Sequence, residues 1–430
     1  MNIGVVGAGY VGLVTAACFA KLGNNVITVD IDKEKIKSLK KGSIPIYEPG
    51  LKELVKDGLR KHRLSFTTNL KSAVKKSTLI FIAVGTPPRD NGEADLSYVE
   101  NVVRGIAKNM PSYRLIVGKS TVPVNTGRRI EETIKASNGR KMKFDIASNP
   151  EFLREGQAIN DFMHPDRVVI GVKSAKARDI LVKLYEPLKA PIIVTDVESA
   201  EIIKHASNSF LATKISFINS ISNICDRCGA DVMNVAKGMG MDKRIGRDFL
   251  NAGVGFGGFC FPKDLEAFAC ISEKLGYEFD ILRAVKKVND QQKISFVKKI
   301  EKALWVLNGK TVAVLGLAFK SNTDDMRYAP SVDIIDMLKS KGAKVRVFDP
   351  KAMKKAGKIL TGITFCKNAY DAAKGSDCLA IVTGWDEFKE MDLRRVKKLM
   401  RHPIIVDGRN IYNPKMIKKL GFKYTGMGRQ

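Results

Sequence analysis

The run Asn2-Ile3-Gly4-Val5-Val6, followed by Gly7-Ala8-Gly9-Tyr10-Val11-Gly12 and then by a helical stretch to Gly23, constrains the fold more than any other part of the chain. A short β-branched strand that enters a G-x-G-x-x-G turn and leaves it as a helix opens a βαβ unit. Gly7 makes the tight turn, Gly9 lets backbone approach a pyrophosphate, and Gly12 permits close packing of helix on strand. The pyrophosphate then meets the free N–H groups of the helix N-terminus. The next strand, "VITVD", ends in Asp30, 23 residues after Gly7, where a carboxylate accepts both adenosine ribose hydroxyls and disfavours a 2′-phosphate. NAD is therefore the expected cofactor, held by Gly7, Gly9, Tyr10, Val11, Gly12 and Asp30. Lys35, close by in sequence, reads either as a phosphate contact or as a solvated helix residue.

Residues 2–195 continue as an alternation of β-branched runs with helical stretches: "NIGVV", "NVITVD", "TLIFIAV", "RLIVGKS", "FDIASNP", "RVVIGV" and "PIIVT". Such alternation implies a parallel sheet covered by helices on both faces. Two strand ends stop in hydroxyl residues, Thr86 in "VGTPP" and Thr121 in "KSTVP". They stand at the carboxyl edge where open α/β sheets bind ligands, although either also suits a turn or a helix cap. From Asp196 the period changes. Apolar residues at Ile203, Ala206, Phe210, Phe217, Ile221 and Ile224, with Gly229 as a stop, predict one helix of roughly thirty residues, about 45 Å long. A helix of that length joins domains and offers a face to a second copy. "KTVAVLGLAFK" then restarts the βα rhythm, followed by "KVRVFDP", "CLAIVTGW" and "PIIVDGRN". The expected fold class is thus α/β, with two doubly wound, Rossmann-like parallel-sheet domains, 1–195 and 301–430, joined by a helical central domain, 196–300.

Length and composition exclude several classes. A chain of 430 residues, 44% hydrophobic and 27% charged, supports several cores and is neither disordered nor fibrous. Ile3 to Ala20 carries no charge, yet it lacks a basic flank and contains the glycines of the turn, so a spanning helix or signal peptide is rejected and a cytoplasmic location is expected. Seven cysteines without an export signal imply reduced thiols. The C-x-x-C pair Cys225/Cys228 has no second pair to complete a zinc site, so no metal is expected. The formal charge of +28 favours anionic small molecules. Its lysines are scattered along helical faces, which argues against nucleic-acid readout.

The segment "GFGGFCFPKD" raises the question of chemistry. Cys260 follows Gly255, Gly257 and Gly258 and precedes Pro262, Lys263, Asp264 and the helical pattern "LEAFACISEKLG". A thiol beside a helix N-terminus and a lysine has its thiolate form favoured, while a buried spacer cysteine with Asp264 as an N-cap fits the same local pattern. On the long helix, Lys204 and Asn208 are four apart and share a face. An ammonium and an amide together stabilise an oxyanion. "NPEFLREG" contributes Glu151 and Glu155, again four apart, which also suit a helix first turn.

Taken together, "GAGYVG", "STVP", "NPEFLREG", "KHASNSF", "GMDKRIG", "GVGFGGFCFPKD" and "GLAFK...R" occur in the order and approximate spacing of the nucleotide-sugar dehydrogenases. From Asn2 to about Gly421 the chain resembles the UDP-glucose/GDP-mannose dehydrogenase family. The resemblance implies NAD on the N-terminal domain, a UDP-sugar between it and the UDP-sugar-binding C-terminal domain, a homodimer through the central helix, and a four-electron oxidation at C6 of UDP-glucose through a cysteine thiohemiacetal and thioester. It implies Cys260 as nucleophile, Lys204 or an Asp264-linked water as base, Lys204 and Asn208 as oxyanion donors, and Glu155 with Thr121 activating the hydrolytic water. By the same resemblance Glu151, Phe152, Leu153, Arg154, Lys204, Asn208, Phe210, Arg244, Asn251, Gly255, Gly257, Phe319, Lys320 and Arg409 contact the sugar nucleotide. Arg244 would reach a neighbouring subunit's site. Thr86, Thr121, Glu155, Lys263 and Arg327 would join the cofactor contacts. Phe259 departs from the family pattern, where serine or tyrosine is common, and the basic charge has no account beyond attraction of the UDP moiety. Three other readings compete: the same chemistry on UDP-N-acetylhexosamine or GDP-mannose, a two-electron hydroxyacid dehydrogenase, and a non-catalytic basic scaffold binding NAD or polyanions.

Overall fold

A computed structural model of the chain describes residues 1–89, 92–139 and 142–429. Two compact units emerge, one of Met1–Ser207 with Glu266–Tyr277 and one of Asn208–Leu265 with Glu278–Gln430.

The first unit is built on eight strands, β1 Asn2–Val6, β2 Asn25–Val29, β3 Leu64–Thr67, β4 Leu79–Ile82, β5 Arg114–Gly118, β6 Phe144–Ser148, β7 Val168–Val172 and β8 Ile192–Thr195. Their order is β3-β2-β1-β4-β5-β6-β7-β8. Both faces are covered, so the central strands need apolar residues at every position rather than at alternate ones. In β4, Leu79 and Phe81 pack beside Leu13 and Phe19 of the helix Tyr10–Lys21, while Ile80 and Ile82 pack on the other face beside Val103 and Ile106. Chain order reverses between β1 and β4, and in such sheets that point lies beside the ligand crevice at the strands' carboxyl ends. Gly7, Thr86, Thr121 and Asn149 all follow strands at this edge. One strand pair departs from the all-parallel expectation: β6 and β7 are antiparallel, with Ala147 opposite Val172 and Ser148 opposite Gly171. β3, "LSFT", was not among the expected strands because only Leu64 and Phe66 are buried in a four-residue run.

The second unit contains an all-parallel sheet of β9 Thr311–Leu315, β10 Lys344–Phe348, β11 Thr364–Phe365, β12 Cys378–Ile381, β13 Ile404–Asp407 and β14 Lys423–Gly426, in the order β11-β10-β9-β12-β13-β14. Its first turn is closed by a carboxylate. Asp349, buried at the end of β10, accepts the N–H groups of Leu317 at 2.7 Å and Ala318 at 3.1 Å, and the Trp385 indole N–H at 3.1 Å. A strand-end carboxylate thus ties down this turn, as Asp30 does in the first unit.

Two helices matter for the site. The long one runs Val197–Cys228, 32 residues, matching the expected length. The other begins already at Cys260 and ends at Lys274, so Pro262, Lys263 and Asp264 lie in its first turn and not ahead of it as expected. Proline is tolerated there because first-turn N–H groups have no intrahelical acceptor. Among the described residues no helix is long and apolar enough to cross a membrane.

Candidate functional site

In the first unit the glycine turn has the close approach its pattern requires. A Cβ on Gly12 would stand 1.9 Å from the carbonyl oxygen of Gly7, whereas one on Gly9 would meet nothing within 4 Å. The turn therefore closes on itself at one glycine and leaves space above the next, as a pyrophosphate demands. Asp30 reaches back onto this loop. Its Oδ2 accepts from the Ala8 N–H at 2.9 Å and the Lys35 ammonium at 3.0 Å, and its Oδ1 accepts from the Asp32 N–H at 3.0 Å. Burial opposes the Asp30 charge, but these donors outweigh it and hold the carboxyl below its ordinary range. The Lys35 ammonium is thus a partner of the Asp30 carboxylate. Glycines, helix start and carboxylate together fit a dinucleotide.

Tyr10 has a second task. Its hydroxyl bonds Glu48, a buried carboxylate that also accepts the N–H groups of Gly156 at 2.6 Å and Ala158 at 2.8 Å. Glu48, which carried no sequence signal, ties the glycine helix to the end of "NPEFLREG". Thr86 donates its hydroxyl to the Thr121 carbonyl at 3.0 Å, joining the loops after β4 and β5. Within "NPEFLREG", Glu151 accepts from the Leu153 N–H at 2.5 Å and pairs with the Lys204 ammonium at 3.4 Å, both side chains being buried. The Phe152 ring lies 5.3 Å from Lys204 Nζ and 3.7 Å from the Arg167 guanidinium carbon. Glu155 is half-buried two residues beyond Leu153. Arg154 is exposed and paired with Asp161 at 2.7 Å.

A further buried cation escaped sequence reasoning. Lys119, between β5 and Thr121, bonds Asn149 Oδ1 at 2.9 Å and the Tyr185 hydroxyl at 3.3 Å. Desolvation pushes its amine down to about 7, helped by Lys204 and opposed by Glu151.

The second unit holds the thiol. Cys260 is half-buried and opens its helix, with Asp264 one turn further on the same face. Asp264 is buried and fully engaged, Oδ1 accepting from the Lys263 ammonium at 2.7 Å and Oδ2 from the Asn208 amide at 2.6 Å. Lys263 therefore does not stand as an unbalanced cation beside the sulfur. The preceding loop is held on several sides. Phe256 exchanges two bonds with the Asn289 amide, at 2.8 and 3.1 Å, and the Gly258 N–H reaches the Arg327 carbonyl at 3.0 Å. A Cβ on Gly257 would stand 2.2 Å from the Tyr328 carbonyl oxygen. Arg409 donates to the carbonyls of Val382 at 2.7 Å, Gly255 at 2.9 Å and Phe319 at 3.4 Å. Burial pushes its guanidinium down to about 10, with Asp407 opposing. Arg327 pairs with Asp325 at 2.6 Å and lies 4.3 Å over the Phe259 ring, which Lys263 Nζ approaches to 5.5 Å. Lys320 sits 5.6 Å from the Phe319 ring.

Arg244 is exposed and paired with Asp242, Asn251 accepts from Arg247 at 2.9 Å, Arg154 is paired as above, and Phe210 is exposed on the long helix.

Comparisons with known proteins follow the same division. Family models described as the NAD binding, central and UDP binding domains of the UDP-glucose/GDP-mannose dehydrogenase family match residues 1–189, 198–291 and 313–414. The chain is 50% identical to UDP-glucose 6-dehydrogenase TuaD of Bacillus subtilis, covering all of this chain and 93% of the relative. It is 45% identical to the UDP-glucose 6-dehydrogenase of Rhizobium meliloti over all of both chains. Among solved structures, a UDP-glucose dehydrogenase from Pyrobaculum islandicum superposes with a TM-score of 0.93 at 40% identity, covering 100% of this chain and 98% of that one. A UDP-D-ManNAc dehydrogenase from Pyrococcus horikoshii gives 0.88 at 29%, covering 100% and 99%. With three domain matches in sequence order and full-length relatives near half identity, the chain belongs to the UDP-glucose/GDP-mannose dehydrogenase family and is an NAD-dependent oxidoreductase.

Proposed function

We propose that the chain oxidises C6 of UDP-glucose from alcohol to carboxylate, releasing UDP-glucuronate. In this reading residues 1–195 hold NAD, 196–300 form the central and dimerising part, and 301–430 hold the sugar nucleotide. The observation that carries the chemistry is Cys260 at the start of a helix whose first turn fixes Asp264 between Asn208 and Lys263. The preference for glucose over an N-acetylated sugar is supported by 50% and 45% identity to proteins named for UDP-glucose, against 29% to the one named for UDP-D-ManNAc.

NAD, held by the glycine turn and Asp30, supplies a hydride acceptor for each of two oxidations. A base, Lys204 or a water on Asp264, takes the C6 hydroxyl proton during the first. Cys260 then adds to the aldehyde, converting a species that would otherwise escape into a covalent thiohemiacetal. Its oxidation leaves a thioester, and attack of water on that thioester builds an oxyanion that Lys204 and Asn208 hold. Glu155, with Thr121, orients the water that cleaves the thioester and frees the thiol. Two electron pairs leave the sugar and one water is consumed.

The test is stoichiometric. Purified protein given UDP-glucose and NAD should form two NADH for each sugar nucleotide consumed. One NADH would mean the aldehyde is the product, none would favour a non-catalytic binder, and preferential turnover of a UDP-N-acetylhexosamine would reassign the substrate.

A further inference from the structure

Lys119 is a buried amine to which the reaction above gives no task. It directly follows β5, and Asn149 directly follows β6; Gly118 and Ser148 are paired in register, so the two residues leave neighbouring strands side by side. Asn149 is held on all sides. Its N–H donates to the Gly118 carbonyl at 2.9 Å, its amide donates to the Val169 carbonyl at 2.7 Å, and its Oδ1 accepts from Lys119 at 2.9 Å and from the Tyr185 hydroxyl at 2.5 Å. Pro150 comes next with its fixed φ, then Glu151. The orientation of Asn149 therefore sets where Glu151 stands, and Glu151 is the partner of Lys204.

We propose that Lys119 is a positioning residue: through Asn149 and Tyr185 it fixes the strand-end segment that presents Glu151 to Lys204. The proposal rests on the assignment of Lys204 to the reaction. A neutral amine has two N–H groups, and Asn149 and Tyr185 accept both. Protonation adds a third N–H and a charge at a site where, among the described residues, no carboxylate lies within ion-pairing distance. The charged or titratable groups facing Lys119 are Glu151, Lys204 and Tyr185. Once protonated, Lys119 places a second positive charge in the field of Glu151, beside that of Lys204. The neutral form is the working form, in keeping with an amine brought down to about 7 by burial.

The experiment compares wild type, Lys119→Met, Tyr185→Phe and the double variant in steady-state turnover of UDP-glucose with NAD, across about pH 6 to 9. Wild-type kcat/KM for the sugar nucleotide should fall below about pH 7 with a one-proton limb. Lys119→Met should lack that limb and lose about tenfold in kcat on the alkaline side, with KM for NAD unchanged. Tyr185→Phe should move the limb to lower pH, because the ammonium loses an acceptor, and the double variant should lose no more kcat than Lys119→Met alone. Two NADH per sugar in wild type with an unchanged profile in Lys119→Met, or additive losses, would overturn the positioning role alone. A wild type inactive on UDP-glucose would overturn it together with the function. If Lys119→Met fails to fold, the limb of Tyr185→Phe decides: a shift supports the role and an unmoved limb removes it.

Discussion

In Cys260→Ser the replacement oxygen is a far weaker nucleophile at neutral pH than a thiolate. The variant should bind UDP-glucose and NAD in calorimetry with affinities within about threefold of wild type, yet release no free UDP-glucuronate. Normal steady-state turnover by Cys260→Ser would refute the covalent route. For Lys119 the linkage sign is definite. Its unfolded value is 10.5 and its folded value about 7, so across that window the unfolded chain binds the extra proton and stability rises with pH. Lys119→Met has no such slope. It should be more stable than wild type at pH 7 and below, by at most about 5 kcal/mol, with the gain vanishing as pH rises past the unfolded value. Parallel urea titrations at several pH values read this directly, and a constant difference at every pH would place the amine in water.

At the scale of elements, Arg409 distinguishes holding a loop from touching a ligand. Its guanidinium spans carbonyls of three separate segments, Val382, Gly255 and Phe319, and one of these begins the cysteine loop. A lysine cannot reproduce that planar fork. Arg409→Lys should therefore lose about 2 kcal/mol of stability and alkylate faster at Cys260, as read by site-resolved mass spectrometry with iodoacetamide. If Arg409 acts only as a sugar-nucleotide contact, binding weakens while the alkylation rate stays at the wild-type value. What the sequence disclosed at this scale follows from where the information lies. The central strands were legible because a sheet buried on both faces needs unbroken apolar runs such as "TLIFIA". β3 was not, because two buried positions in four residues resemble a helix edge or a turn. The antiparallel direction of β7 is a property of pairing that no local run encodes. The start of the Cys260 helix was misplaced because Pro262 reads as a boundary, although first-turn prolines are compatible with a helix. Lys119 and Glu48 were missed for a different reason: burial of one charged side chain in a chain with 73 lysines and arginines leaves no trace in spacing. Lys204 and Asn208 drew notice because they interrupt an otherwise apolar helical segment, and Cys260 because it follows a glycine-rich turn.

The long helix Val197–Cys228 bears on the whole molecule. Its apolar residues separate into two stripes. Ala212, Ile218 and Cys225 are buried, and on the covered side Ser216 and Asn223 bond to Val285 and Gln292 of the helix Asp280–Leu304. Phe210, Phe217 and Ile224, each seven residues from the next, remain 66%, 50% and 54% exposed. Seven-residue spacing keeps large side chains on one seam of a helix, and a seam of this kind is the usual surface for a second helix. We propose that two copies of the chain associate through it. Each copy carries a formal charge of +28, so the copies repel, and added salt should tighten the association by screening that repulsion. Sedimentation at micromolar protein should show a dimer whose monomer fraction falls as salt rises. Phe217→Glu combined with Ile224→Glu places two carboxylates of each copy in the seam, where desolvation opposes contact. That variant should sediment as a monomer, and its melting temperature should lose the concentration dependence expected of an associating wild type. A wild-type monomer at every salt concentration, or a dimer that survives both glutamates, would place the contact elsewhere or remove it.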